Sequence, residues 1–227
     1  FAQSYELDDY LLEIENKSLT HRPDCFGMIG FAREVAGILG QKFNSPQWFN
    51  HQLKFKTQAS EIAVAIDDSK LSTKFQASLV TNVREANGLS FLQKTYLARV
   101  GVRPVEPIVD ISNWVMLETG QPTHAYDYDK LLKIAEAQGL EQICLTVRAG
   151  RQGEVMTLLD GKRVELSPED TVVAIGHQPV ALAGAMGSFD TKIDKSTERL
   201  VLESASFNLY KMRSAQMRHG IFSEALT

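Results

Sequence analysis

Apolar residues recur along this chain in two rhythms, a shorter one of brief runs that alternate or are continuously apolar, and a longer one close to every third or fourth position. The shorter rhythm marks residues 61–66 (EIAVAI), 77–83 (ASLVTNV) and 144–149 (CLTVRA) as strands. It also marks 171–175 (TVVAI), the following PVALAG, and RLVLESA at 199–205. Around Asp160-Gly161 the runs VMTLL and RVEL predict a hairpin with a favoured two-residue turn. The longer rhythm predicts helices over residues 90–100, stopped by Gly101, and 109–118, closed by Gly120, Gln121 and Pro122. A last helix in NLYKMRSAQMRHG ends at Gly220. Nearer the start, Pro23-Asp24 opens a helix that runs to about Gly40, with Met28, Ala32, Val35 and Leu39 as its apolar stripe. Residues 44–56, rich in amides around Pro46 and Trp48, read as a linker. The expectation is an α+β protein with mixed sheets, in which a small helical segment (1–50) precedes a larger domain (51–227) truncated at its C-terminal end.

Composition narrows the chemistry only a little. At 227 residues with 44% hydrophobic and 23% charged, the chain can bury one large core. A net charge of -4 argues against a surface that binds nucleic acid throughout, although a confined basic groove is compatible with it. Cys25 and Cys144 lie far apart with no CxxC or Cys/His spacing, so neither a disulfide scaffold nor a zinc site is expected and a reducing cytoplasm fits. His21, His51, His177 and His219 show no metal spacing and read as surface or capping residues, and Trp48 and Trp114 as packing residues. No apolar run approaches membrane-spanning length. The chain begins without methionine and reads as a piece of a longer protein.

Three places carry candidate chemistry. SNWVMLETGQPTHAYD, residues 112–127, places His124 just after a helix; ALAGAMGS, residues 181–188, is a glycine-containing turn; LVLESASF, residues 200–207, carries one carboxylate, Glu203, inside an apolar strand pattern. Alternation puts Glu203 on one face with Val201 and Ala205, away from Leu200 and Leu202. A strand carboxylate facing water is the ordinary alternative, as a structural loop histidine is for His124. The glycine turn is neither a P-loop nor GxGxxG, and no GxSxG nucleophile motif is present.

The runs HRPDCFGMIGFAREVAGILG, GVRPVEPIVDISNWVMLETGQPTHAYDYDKL, TLLDGKRVELSPEDTVVA, ALAGAMGS and RHGIFSEA resemble, in order and spacing, successive signatures of the bacterial phenylalanyl-tRNA synthetase beta subunit. The resemblance implies a three-layer β/β/α sandwich that hydrolyses tyrosine wrongly esterified to phenylalanine tRNA. It implies phenylalanine tRNA and the synthetase alpha subunit as partners and tyrosine as the editing ligand, with no membrane. No cofactor is expected for this segment; ATP and magnesium belong to an aminoacylation core outside it. A pocket shaped for phenylalanine rejects a near-isostere that adds a hydroxyl by only on the order of 100-fold, so a second sieve is useful. That sieve can exploit the hydroxyl, because a buried acceptor satisfied by tyrosine is left unpaired by phenylalanine.

Carried onto this chain, the resemblance makes Glu203 the phenol acceptor. His124, in QPTHAYD where the family has HAFD and Tyr126 replaces phenylalanine, would act with Asn113 on the terminal adenosine or the attacking water. Ser112 stands beside Asn113 where the family has Thr-Asn. Ala183, Gly184 and Gly187 would let backbone N–H groups approach the ligand, with Ser188 in place of a usual glycine. Ser223 and Ala225 would wall the side-chain pocket, and Arg103 would contact a tRNA phosphate or support an ion pair. STKFQA, residues 72–77, departs from the family's Cys-Pro-Arg-Tyr-like segment. The rival reading is a non-catalytic structural or amino-acid-binding module of the same subunit in which editing has decayed.

Overall fold

The computed structural model describes residues 2–50, 62–83 and 88–221. In space the chain forms two compact units, residues 1–57 with 85–123, and residues 58–84 with 124–227. The division is therefore not the linear one at residue 50. All strands among the described residues belong to the second unit, whose sequence is interrupted by residues 85–123, which cluster with the N-terminal segment.

The first unit is helical. A 3-10 turn, Pro23–Phe26, leads into α1 (Met28–Ile38), followed by the short α2 (Gln47–Asn50) inside the expected linker. After the second unit's first two strands come α3 (Phe91–Arg99) and α4 (Pro107–Thr119). Ser90 and Gln93 form a reciprocal capping box at the start of α3. Glu106 caps α4 by accepting from the amides of Ile108 and Val109, Pro107 takes the first turn, and Gly120, at φ 75°, ends it as the sequence pattern predicts. The stripe expected on α1 is not the inward face, since Met28 and Leu39 are more than half exposed while Ile29 and Gly30 are buried. Glycines decide this. A Cβ on Gly27 would sit 2.3 Å from backbone atoms of Thr119 and Gly120, and one on Gly30 would sit 1.9 Å from the Asp24 carbonyl oxygen. The helix is pressed by its bare side onto the end of α4 and the 3-10 turn, which leaves its larger side chains outside.

The second unit is a layered α+β domain. β1 (Ile62–Ile66), β2 (Ser72–Val80), β3 (His124–Asp127), α5 (Tyr128–Ala137) and β4 (Ile143–Ala149) are followed by the hairpin β5 (Val155–Thr157) and β6 (Arg163–Glu165). β7 (Thr171–Ile175), β8 (Gln178–Leu182), β9 (Met186–Gly187), β10 (Leu200–Phe207) and α6 (Leu209–His219) complete it. One sheet has the order β1-β4-β7-β8-β9 and a smaller one the order β2-β10-β3. Between them lies a core of Ile143, Leu145, Val147, Val173 and Ile175 against Phe75, Tyr126 and Val201, joined by Leu131, Ile134 and Ala135 of α5. The opposite face of the larger sheet, with Val172, Ala174 and Leu182, packs on Ala215 of α6 and on the β5-β6 hairpin through Met156, Leu158, Val164 and Leu166. Small sheet, large sheet and α6 are the three layers of the expected β/β/α arrangement.

Two elements escape the sequence pattern. α5 is an amphipathic helix, with Tyr128, Leu131, Ile134 and Ala135 buried at helical spacing and Asp127 capping it by accepting from the Lys130 amide at 3.0 Å. The segment before it, expected as a loop, is strand β3. β2 also begins five residues before the expected strand.

Candidate functional site

β3 and β10 pair antiparallel with His124 opposite Glu203 and Tyr126 opposite Val201. Residues opposed in this way share a face, so His124, Tyr126, Val201, Glu203 and Ala205 lie on the core side of the small sheet. The burial follows the alternation at the centre of the strand, where Val201 and Glu203 are buried, Glu203 to 7% exposure, and Leu202 and Ser204 are half-buried; it departs from it at Leu200, which is buried as well, and at Ala205, which is half-buried. The water-facing alternative for Glu203 is thereby removed. On the other flank β2 places Ala77 opposite Glu203, a small neighbour for a carboxylate.

The imidazole of His124 stands edge-on to the ring of Tyr126, with centroids 4.4 Å apart and planes at 86°. β9, at the edge of the larger sheet, meets it from the other side. A Cβ on Gly187 would lie 2.4 Å from His124 Nε2 and 2.5 Å from Cε1, so only glycine leaves room for this ring position. Loss of hydration lowers the His124 pKa to about 4, and the imidazole is neutral at physiological pH. Desolvation acts oppositely on Glu203, pushing its carboxyl up to about 7, with the Tyr126 hydrogen bond opposing that rise. The Tyr126 hydroxyl, itself wholly buried, donates to Glu203 Oε2, and burial followed by the carboxylate's charge raises the phenol far above its ordinary value. A neutral imidazole, a carboxyl poised near neutrality and an internal phenol thus occupy one end of the small sheet.

The other predicted residues divide. The Ala183 amide donates to the Thr171 carbonyl at 2.9 Å, so it serves the sheet and is not a ligand donor here. Gly184 does need its glycine, at φ 68°, but the close approach is to α6: a Cβ there would meet Met212 Sδ at 2.5 Å. Ser188 takes an ordinary extended conformation at φ -78°, buried, with its hydroxyl accepting from the Asp190 amide, so this turn has no need of the usual glycine. Ser112, Asn113 and Arg103 belong to the other compact unit. There the Ser112 hydroxyl lies 3.0 Å from the Thr123 carbonyl and 2.7 Å from its hydroxyl, tying α4 to the chain that follows it; Asn113 is half-buried on α4 and Arg103 is exposed. Ser223 and Ala225, like His51, lie outside the described residues.

Among the bland assignments, His219 changes. It is 8% exposed, and its Nε2 lies 3.1 Å from Oδ2 of the fully buried Asp170, which also accepts from Arg218 at 2.6 Å. This is an internal anchor for α6, and neither a surface nor a simple capping role. Trp114 stacks on Tyr96 as a packing residue, whereas Trp48 is 50% exposed. Among the described residues no group of His, Cys, Asp or Glu has the arrangement of a metal site, and no helix is long and apolar enough to cross a membrane. A cavity of about 310 Å³ lined in part by Thr157, Arg163, Gln178 and Asp190 contains none of the residues predicted from sequence.

The fold is that of a layered two-sheet α+β domain, and the chain belongs to the B3/4 domain family, whose model matches residues 71–227. Its relatives include phenylalanine–tRNA ligase beta subunits. That of Streptococcus pyogenes serotype M18 is 38% identical over 97% of this chain and 26% of its own length. Those of Trichormus variabilis and Desulfotalea psychrophila are 33% and 35% identical over 96% and 99% of this chain, again 26% of their own lengths. The chain spans about a quarter of these relatives. A crystal structure of an N-terminal fragment of the phenylalanyl-tRNA synthetase beta subunit from Pyrococcus horikoshii overlaps 94% of this chain and 65% of that one, at 15% identity and a TM-score of 0.47.

Proposed function

We infer that this chain is the editing part of a phenylalanine–tRNA ligase beta subunit and hydrolyses the ester of tyrosine misacylated on phenylalanine tRNA. The observation that carries this is the register of β3 on β10, which sets the buried Glu203 carboxylate opposite His124 on a face shared with Tyr126, Val201 and Ala205. A carboxylate in such a place accepts the phenolic hydrogen of tyrosine and is left without it by phenylalanine, which is the discrimination a second sieve needs. In the reaction, water adds to the ester carbonyl, the bond from that carbon to the ribose oxygen breaks, the ribose hydroxyl recovers a proton and tyrosine departs as its carboxylate. With a pKa of about 4, His124 is poorly matched to act as a general base at neutral pH. Its role in this reading is to orient the ester or the water by a neutral hydrogen bond.

The rival reading, a module that has kept the fold without hydrolysis, is favoured by one feature: Glu203 already has a phenol partner inside the protein. Deacylation of tyrosyl- and phenylalanyl-tRNA(Phe) by the full-length subunit, with and without Glu203→Ala, separates the two. The expected result is preferential hydrolysis of the tyrosyl ester, with the preference falling about tenfold or more in the variant. Equal preference in wild type and variant would remove Glu203 from recognition, and no hydrolysis at all would favour the module.

A further inference from the structure

The two oxygens of Glu203 are in different circumstances. Oε2 accepts from Tyr126, whose ring is wholly buried and braced edge-on by His124. Among the described residues no donor reaches Oε1. Among the described residues, Glu203 is not one of those with an enclosed, unpartnered side-chain oxygen or nitrogen, and it keeps 7% exposure. A carboxylate has about four acceptor positions, and the Tyr126 hydroxyl takes one of them, on Oε2.

We propose that Tyr126 is a specificity-determining positioning residue: its phenol holds Glu203 by Oε2 and presents Oε1 as the acceptor for a second phenol, that of the ligand tyrosine. The proposal rests on the editing reading above and deepens it. Tyr126 does two things that an apolar residue in its place cannot. It removes the rotational freedom of the carboxylate, so that the second oxygen is already fixed in place when a ligand arrives. Its hydrogen bond also favours the ionised carboxylate against the desolvation that opposes it, and a charged acceptor binds a phenol more strongly than a neutral one. Among the described residues the titratable groups facing Glu203 are Tyr126 and His124 on β3; β2 presents Phe75, Ala77 and Leu79, β9 presents Gly187, and Tyr128 of α5 lies in the same core.

The test is Tyr126→Phe in the full-length subunit, with the ratio of tyrosyl- to phenylalanyl-tRNA(Phe) deacylation measured across neutral pH. In wild type the ratio is expected to rise with pH through about 7, as Glu203 ionises. In Tyr126→Phe the midpoint moves to higher pH and the ratio near neutrality falls about tenfold. Circular dichroism checks that the ring-preserving variant is folded. A wild-type measurement gives an independent reading: by NMR the Tyr126 hydroxyl proton should persist when free L-tyrosine is added, while the Glu203 carboxyl carbon shifts. Tyr126→Phe with wild-type ratio and midpoint overturns the proposal, and leaves the editing reading standing if Glu203→Ala still abolishes the preference. A higher ratio in Tyr126→Phe, or loss of the Tyr126 hydroxyl signal with L-tyrosine, also overturns it, because the internal phenol would then be competing with the ligand.

Discussion

Replacing Glu203 by glutamine should make the protein more stable at neutral pH, despite removing a hydrogen-bonded carboxylate from its interior. Burial moves this carboxyl from an ordinary 4.5 to about 7. That displacement corresponds to about 3 kcal/mol. Below pH 4.5 the group is protonated in the folded and unfolded chains alike and adds no pH dependence. Between 4.5 and about 7 the unfolded chain ionises while the folded chain keeps its proton, so stability falls as pH rises, and above about 7 the loss is complete. Glutamine has the same shape, carries no charge and still offers an oxygen to the Tyr126 hydroxyl. His124 contributes with the opposite sign: its folded pKa of about 4 against 6.5 adds stability that is present above 6.5 and lost as pH falls toward 4. Comparing wild type with Glu203→Gln at each pH cancels the His124 contribution. Urea unfolding followed by circular dichroism should give two curves that diverge between 4.5 and about 7, the variant ending more stable by about 3 kcal/mol at most. A difference that does not change with pH would mean that Glu203 is hydrated in the folded protein, and the dry-acceptor argument would fail with it.

Gly187→Ala places a Cβ 2.4 Å from His124 Nε2 and forces the imidazole from its position; the expected cost is about 1–3 kcal/mol in urea unfolding, with tyrosyl-tRNA hydrolysis slowed by up to about a hundredfold. Unchanged stability and rate together would show that the ring moves freely. Away from the site, Glu154→Ala strands Arg148, whose guanidinium pairs with Glu154 at 2.5 Å with side-chain exposures of 7% and 12%. The expected loss is about 3–5 kcal/mol by the same measurement, and a change below about 1 kcal/mol would mean that water replaces the carboxylate.

What the sequence reveals here, and what it hides, follows from the range of the interactions. Strands such as TVVAI are continuous apolar runs and identify themselves, and the ends of α3 and α4 are marked by local caps whose partners lie within a few residues. Glu203 is conspicuous because it is the one carboxylate in an apolar strand, and its buried face follows from alternation. α5 had its signal in full, with Asp127 before Tyr128, Leu131, Ile134 and Ala135, but reading 124–127 as a loop hid the cap that starts it. β3 has four residues, too few for alternation to declare a strand. The stripe on α1 failed because two glycines, and not the apolar side chains, choose its packed side. The Tyr126–Glu203 bond joins residues 77 apart, and nothing local in either segment announces it.

That bond and the His124–Glu203 opposition have one origin, the register of a single strand pair. With Leu200 against Asp127 and Glu203 against His124, the histidine faces the carboxylate directly, and the tyrosine two residues on lies diagonally across from it on the same face, where cross-strand side chains of this length still meet. A slip of one residue would turn His124 and Tyr126 to the other face together and leave Glu203 buried without a donor. Asp127 resists such a slip, because it ends β3 by capping α5 through the Lys130 amide and also accepts from Thr197 Oγ1 at 2.6 Å, just before β10 begins. The α5 cap is therefore part of the site's construction: it fixes where β3 stops, the stop fixes the pairing, and the pairing brings imidazole, phenol and carboxylate together.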